Sequence, residues 1–133
     1  MIIVESLFPD EHHLQTEIWV SDAVREAIAQ HTRSERPKSG FFLKKLKYYA
    51  TGGFAEFEGD EKSPVRYEWG GVYRVGLHGK LFRVYGFYIG PKKLCFIAAD
   101  AFLKKAGKLR PSEKDRIDEV VKIREKKQWR KRE

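Results

Sequence analysis

The chain has 133 residues and a formal net charge of +8, the size of one domain with a core large enough to fold alone. Its mean hydropathy of -0.58 and its 41% hydrophobic residues exclude a disordered polymer, and no apolar run approaches the ~18 residues that span a bilayer. A pI near 9.6 favours polyanionic partners, chiefly nucleic acid, over small neutral ligands, with solubility or an acidic protein partner as the plainer reading.

Residues 1–8 (MIIVESLF) read as a short apolar strand ended by Pro9. They carry neither a basic leader nor a small-residue cleavage site, so no secretory signal is expected. Residues 9–31 follow a helical pattern in which Ile18, Trp19, Ala23, Ala27 and Ile28 can share one broad face. Ser21 can instead cap a later helix and split the stretch in two. Residues 32–40 (TRSERPKSG) form a loop broken by Pro37 and Gly40. Residues 41–51 make a second helix. Phe42, Leu43, Leu46 and Tyr49 or Ala50 lie on its apolar face, Lys44, Lys45 and Lys47 on its wet one, and Gly52-Gly53 stops it. The two helices are expected to pair as an antiparallel hairpin.

Residues 54–71 mix aromatics with the acids Glu56, Glu58, Asp60 and Glu61, which read as a solvated loop. A short extended piece is expected at 65–69. Three strands follow. The first carries Val72, Val75 and Leu77, the turn is His78-Gly79-Lys80, and the second strand runs over 81–89. After Gly90-Pro91 the third strand covers 93–102, and its unbroken CFIAA suits a central position covered on both faces. A last helix is expected over 112–129. Ser112 and Asp115 imitate a capping box there, and Ile117, Val120, Val121 and Ile123 form the buried stripe. The basic tail, 126–132, is expected to fray. Helices followed by a run of strands indicate an α+β fold.

Several chemistries find no support. His12-His13 lacks the spacing of a zinc site, and there is no GxGxxG or GxxxxGK[ST] run. Cys95, the only cysteine, lies in an apolar strand. It reads as a buried thiol, and a chain without a disulfide suits a reducing cytoplasm. No cofactor and no metal is expected. Cations and aromatics remain, and these suffice to cleave RNA. Attack of a 2′-hydroxyl on its own 3′ phosphate needs in-line positioning, stabilisation of a dianionic phosphorane and protonation of the departing 5′-oxygen. Aromatic rings can hold a splayed base.

The segment YRVGLHGKLFRVY, residues 73–85, resembles the paired strands of RelE/HigB-like toxins of bacterial type II toxin–antitoxin systems. Phe102, Lys104, Lys105 and Pro111, followed by Arg116-Ile117, resemble the ending of the phage-derived HigB-like branch. The resemblance covers residues 65–129. It implies one toxin domain over 1–133, with an N-terminal strand and helical hairpin, an antiparallel sheet and a C-terminal helix. It further implies a cytoplasmic mRNA interferase, an endoribonuclease that cuts mRNA on the ribosome and is restrained in a complex with a cognate antitoxin.

Carried over by position, the resemblance implies that Arg83 contacts the scissile phosphate and that Arg74 faces the RNA. Lys104 and Lys105 match the lysine pair after the last strand, and His78 takes the place of a basic turn residue. Tyr85 and Tyr88 are candidates for base stacking, and Lys108 and Arg110 for RNA contact. Gly76 stands where the best-known ribosome-dependent members carry a second basic residue, and no tyrosine lies near the C-terminus, so the proton-transfer groups stay unassigned. Arg83 alternates with Phe82 and Val84 and so points away from them. Its plainer reading is an ion pair with a carboxylate such as Glu68. Trp19 and Trp69 read as packing residues. A nuclease should gather Arg74, Arg83 and Lys104 or Lys105 on one concave face. A ParE-like gyrase poison or a non-catalytic binding module would not need that together with a proton donor.

Overall fold

The computed structural model describes residues 1–35, 40–57, 63–77, 81–105 and 107–132. The described residues form a mixed α+β fold. The strands are β1 (Ile2–Ser6), β2 (Glu17–Ser21), β3 (Val65–Trp69), β4 (Val72–Val75), β5 (Phe82–Ile89), β6 (Cys95–Leu103) and β7 (Trp129–Lys131). The helices are α1 (Asp22–Ser34), α2 (Phe41–Gly52), the single turn α3 (Phe54–Phe57) and α4 (Pro111–Glu125). No described helix is long and apolar enough to cross a membrane.

All seven strands join one sheet in the order β3-β4-β5-β6-β2-β1-β7. It is mixed and not antiparallel as the resemblance implies, because β2 runs parallel to β6 and β1 parallel to β7. β6 lies at its centre, which explains the unbroken apolar run. Alternation along the strands builds two cores. Ile18, Val20, Val75, Phe82, Val84 and Phe96 pack with Val24 and Ile28 of α1, Phe42 and Leu46 of α2 and Phe54 of α3. On the other face Val4, Val72, Tyr85, Phe87, Ile97 and Phe102 pack with Ile117 and Val120 of α4.

Three expectations need correction. Residues 9–31 are not one helix. Ile18 and Val20 point into the first core and Trp19 toward the second, a period of two, so this β-branched and aromatic segment pairs as β2. Ser21 then caps α1, its hydroxyl accepting from the Val24 N–H at 3.2 Å. The tail does not fray. Lys127 takes a left-handed φ of 51° and turns the chain into β7, where Arg132 N–H donates to Val4 C=O at 2.8 Å. Arg132 also forms an ion pair with Glu5. The cap of α4 is Arg110, with Pro111 opening the helix and Glu113 accepting from the Arg110 N–H at 2.8 Å. The chain therefore places a carboxylate three residues into α4 at Glu113, one position after Ser112. α1 and α2 pack in one core on the same face of the sheet; the turn His78-Gly79-Lys80 lies outside the described residues, as do Glu58, Asp60 and Glu61.

Two bulges shape the face that α4 covers. Tyr67 pairs with Tyr73 and Trp69 with Val72, leaving Glu68 as an extra residue in β3. Tyr85 pairs with Asp100 and Gly86 with Ala98, leaving Ala99 extra in β6. Each bulge turns an additional side chain toward α4. Asp100 uses this to bind the Arg116 guanidinium through two bonds of 2.8 and 2.6 Å.

Candidate phosphate-binding pocket

Gly70 and Gly71, both with positive φ (60° and 82°), close the two-residue turn between β3 and β4. The turn sets Val65 opposite Val75, Arg66 opposite Arg74 and Tyr67 opposite Tyr73. On the next strand Arg74 faces Tyr85. Two arginines directly opposite one another repel and weaken the pairing. Arg83 adds a third on the same face, two residues before Tyr85. Lys104 completes the group, its N–H continuing the ladder to Leu81 C=O at 2.9 Å.

Arg66, Arg74, Arg83 and Lys104 line one pocket of about 390 Å³, with Leu77 and Leu81 as apolar walls and Gly76 in its floor. The volume is within the range of ligand clefts. Glu68, turned inward by its bulge, meets Arg74 at 3.3 Å. Burial lifts the Glu68 pKa above its ordinary value, while Arg74, Lys104 and Arg83 pull it down. Burial lowers Lys104 below the usual lysine range, and Arg74 and Arg83 lower it further. Arg83 is lowered for the same reasons, burial first and Arg74 next. Desolvated cations crowded together are stabilised by an anion set among them.

Arg83 is held by shape more than by bonds. Its Nη1 reaches Leu77 C=O at 3.4 Å and Phe82 C=O at 3.3 Å, both long. Its Nε is buried with no hydrogen-bond partner among the described residues. A Cβ on Gly76 would stand 2.5 Å from Arg83 Cδ and 2.7 Å from Nη1. Arg83 therefore fills the space that a side chain at position 76 would take.

The structure thus brings together Arg74, Arg83 and Lys104 of the sequence-derived candidates. Lys105 is exposed and outside the pocket. Its backbone N–H donates to Glu113 at 3.2 Å. Since Glu113 also accepts from Arg110 N–H, its carboxylate buckles the segment between Lys104 and α4. These two backbone bonds, Arg110 first, hold the Glu113 pKa below its ordinary value. Lys108 and Arg110 are exposed and lie outside the pocket lining. His78 lies outside the described residues. Tyr85 cannot serve as a stacking platform. It is 1% exposed and its ring is already stacked on Phe102 at 4.9 Å. Its phenol pKa is pushed up to about 12 by burial and then by Glu68. Tyr88 lies on the other face of the sheet, edge-on to Tyr73 and Phe96 at 5.0 and 5.4 Å.

Sequence reasoning missed Arg66, the inward turn of Glu68 and the buckle at Glu113. A signal for Arg66 was present. VRYEWGGVYRV reads nearly the same from either end about Gly70-Gly71, so a tight turn places like residues opposite like.

No family model matches the chain, and neither a curated protein nor a solved structure matches it.

Proposed function

We propose that this pocket grips a phosphodiester of RNA and that the protein is a RelE/HigB-like toxin, an mRNA endoribonuclease acting on the ribosome. The observation that carries the reading is the convergence of Arg66, Arg74, Arg83 and Lys104 around one cavity, with the Glu68 carboxylate against Arg74.

The chemistry follows from the groups present. Arg83 and Arg74 donate to the non-bridging oxygens and stabilise the second negative charge that develops in the phosphorane. Glu68 accepts the proton of the attacking 2′-hydroxyl as the oxygen–phosphorus bond forms. Lys104, more acidic than an ordinary lysine, gives its proton to the 5′-oxygen as that bond breaks. The products are a 2′,3′-cyclic phosphate and a free 5′-hydroxyl. Tyr85, with its raised pKa, keeps its proton at neutral pH.

The test is expression without an antitoxin, followed by mapping of mRNA 5′ ends on ribosomes, with wild type beside Arg83→Ala. Growth arrest with cuts in the ribosomal A site is the expected result. Losing one such donor costs ~3 kcal/mol, about a hundredfold in rate. Normal cutting by the variant removes Arg83 from its role. Arrest accompanied by DNA damage and no cut mRNA replaces the proposal with gyrase poisoning, and no arrest leaves a binding module.

A further inference from the structure

α2 carries a second surface that the pocket does not use. Phe42, Leu46 and Ala50 are buried against the sheet. Away from them, Phe41, Lys44, Lys45 and Tyr48 follow one another at i, i+3, i+4 and i+7, and all four are exposed. Phe41 is 42% and Tyr48 62% exposed. The solvent face of a helix is ordinarily polar, so two large rings on it mark a place that something covers. Tyr48 also continues into further aromatic surface. It lies 5.3 Å from Tyr49 and 6.1 Å from Phe57, and the Phe57 ring rests on Gly52, where a Cβ would come within 3.1 Å of it.

The lysines identify the occupant. The Lys45 ammonium stands 5.8 Å from the centroid of each ring. Neither Lys44 nor Lys45 forms an ion pair among the described residues. Residues seven apart on a helix are about 10.5 Å apart along its axis; the Lys45 ammonium falls between the two rings, and exposed Lys44 precedes it on the same face. Alternating rings and cations suit a polymer that alternates bases and phosphates. Protein–protein interfaces, by contrast, are depleted in lysine. We infer that the outer face of α2 binds single-stranded RNA, with Phe41 and Tyr48 stacking on bases and Lys44 and Lys45 contacting the phosphates between them. This surface belongs to the helical layer opposite α4, whereas the pocket opens on the face that α4 covers. The inference stands on its own residues and does not need the pocket to be a nuclease.

The test is fluorescence anisotropy with a labelled 12-nucleotide single-stranded RNA, in an Arg83→Gln background so that the pocket is weakened in every sample. Tyr48→Ala and Phe41→Ala are each expected to weaken binding about 5- to 160-fold. Tyr48→Phe should bind as the parent does, because stacking does not need the hydroxyl. Lys44→Gln with Lys45→Gln should reduce the salt slope by about 1.4, two phosphate contacts at ~0.7 each. All of these residues are exposed, and a thermal melt verifies that each variant is folded. Unchanged affinity in both ring variants overturns the inference. So does equally tight binding of a duplex of the same sequence, or ring-dependent binding of an acidic peptide that displaces the RNA.

Discussion

Gly76 and Arg83 share one space: the missing side chain of the first is the seat of the second, since a Cβ at 76 would come 2.5 Å from Arg83 Cδ. Gly76→Ala should therefore act through Arg83. The clashing group is a flexible arm, apart from Phe82 C=O at 3.0 Å, so the arm moves aside at a stability cost of about 1 kcal/mol. Cleavage should fall by about as much as in Arg83→Ala, toward a hundredfold. Thermal melts and single-turnover cleavage, measured together, check this. A variant that melts normally and cuts normally would show that the seat does not matter.

The proposed proton transfers set a pH profile. Glu68 must be ionised to accept a proton, so the rate rises with pH through its pKa, which burial lifts above 4.5. Lys104 must be protonated to donate, so the rate falls as pH passes its pKa, which burial and its arginine neighbours bring below 10.5. The outcome is a bell whose limbs lie closer together than those of ordinary glutamate and lysine. Glu68→Gln should remove the acid limb, and Lys104→Arg should move the alkaline limb upward. A profile that keeps both limbs in these variants assigns the protons elsewhere.

Affinity for ribosomes should fall with salt if phosphate contacts dominate. Removing one contact by Arg66→Gln should lower the slope of log K against log salt by about 0.7, the value for a single strand. Titrations at four salt concentrations are enough to measure it. An unchanged slope would place Arg66 outside the RNA contact.

The C-terminal strand predicts an effect on stability. Trp129 lies 6.2 Å from Phe87 across the second core, and its strand shields the edge of β1. Trp129→Ala should destabilise the protein by about 2 kcal/mol, less than for a fully buried tryptophan. Denaturant melts give the value directly. A frayed tail would lose almost nothing.

Much of the candidate site was legible before the structure. Arg74 and Arg83 alternate with Val75 and Val84, and alternation reports side-chain direction whatever the strand packs against. Lys104 was named only through the resemblance and together with Lys105, since strand pattern does not say which of two adjacent lysines faces the pocket. Tyr85 was misread because alternation places it beside Arg83 without saying that α4 roofs one end of that face and leaves the other open. Glu113 was invisible because its partners are backbone N–H groups, which carry no sequence signal.

From the chain by itself one could obtain the hairpins around β4, β5 and β6, the α2 stripe and the central place of β6, since turn chemistry and periodicity act between near neighbours. Only the folded chain decided that β2 and β6 run parallel, that β1 and β7 close the far edge, and that the Glu68 bulge brings an acid among four cations. Those pairings join segments remote in sequence. Their energy comes from burying two faces of one sheet at once, and no local pattern records which distant segment will be there to share it.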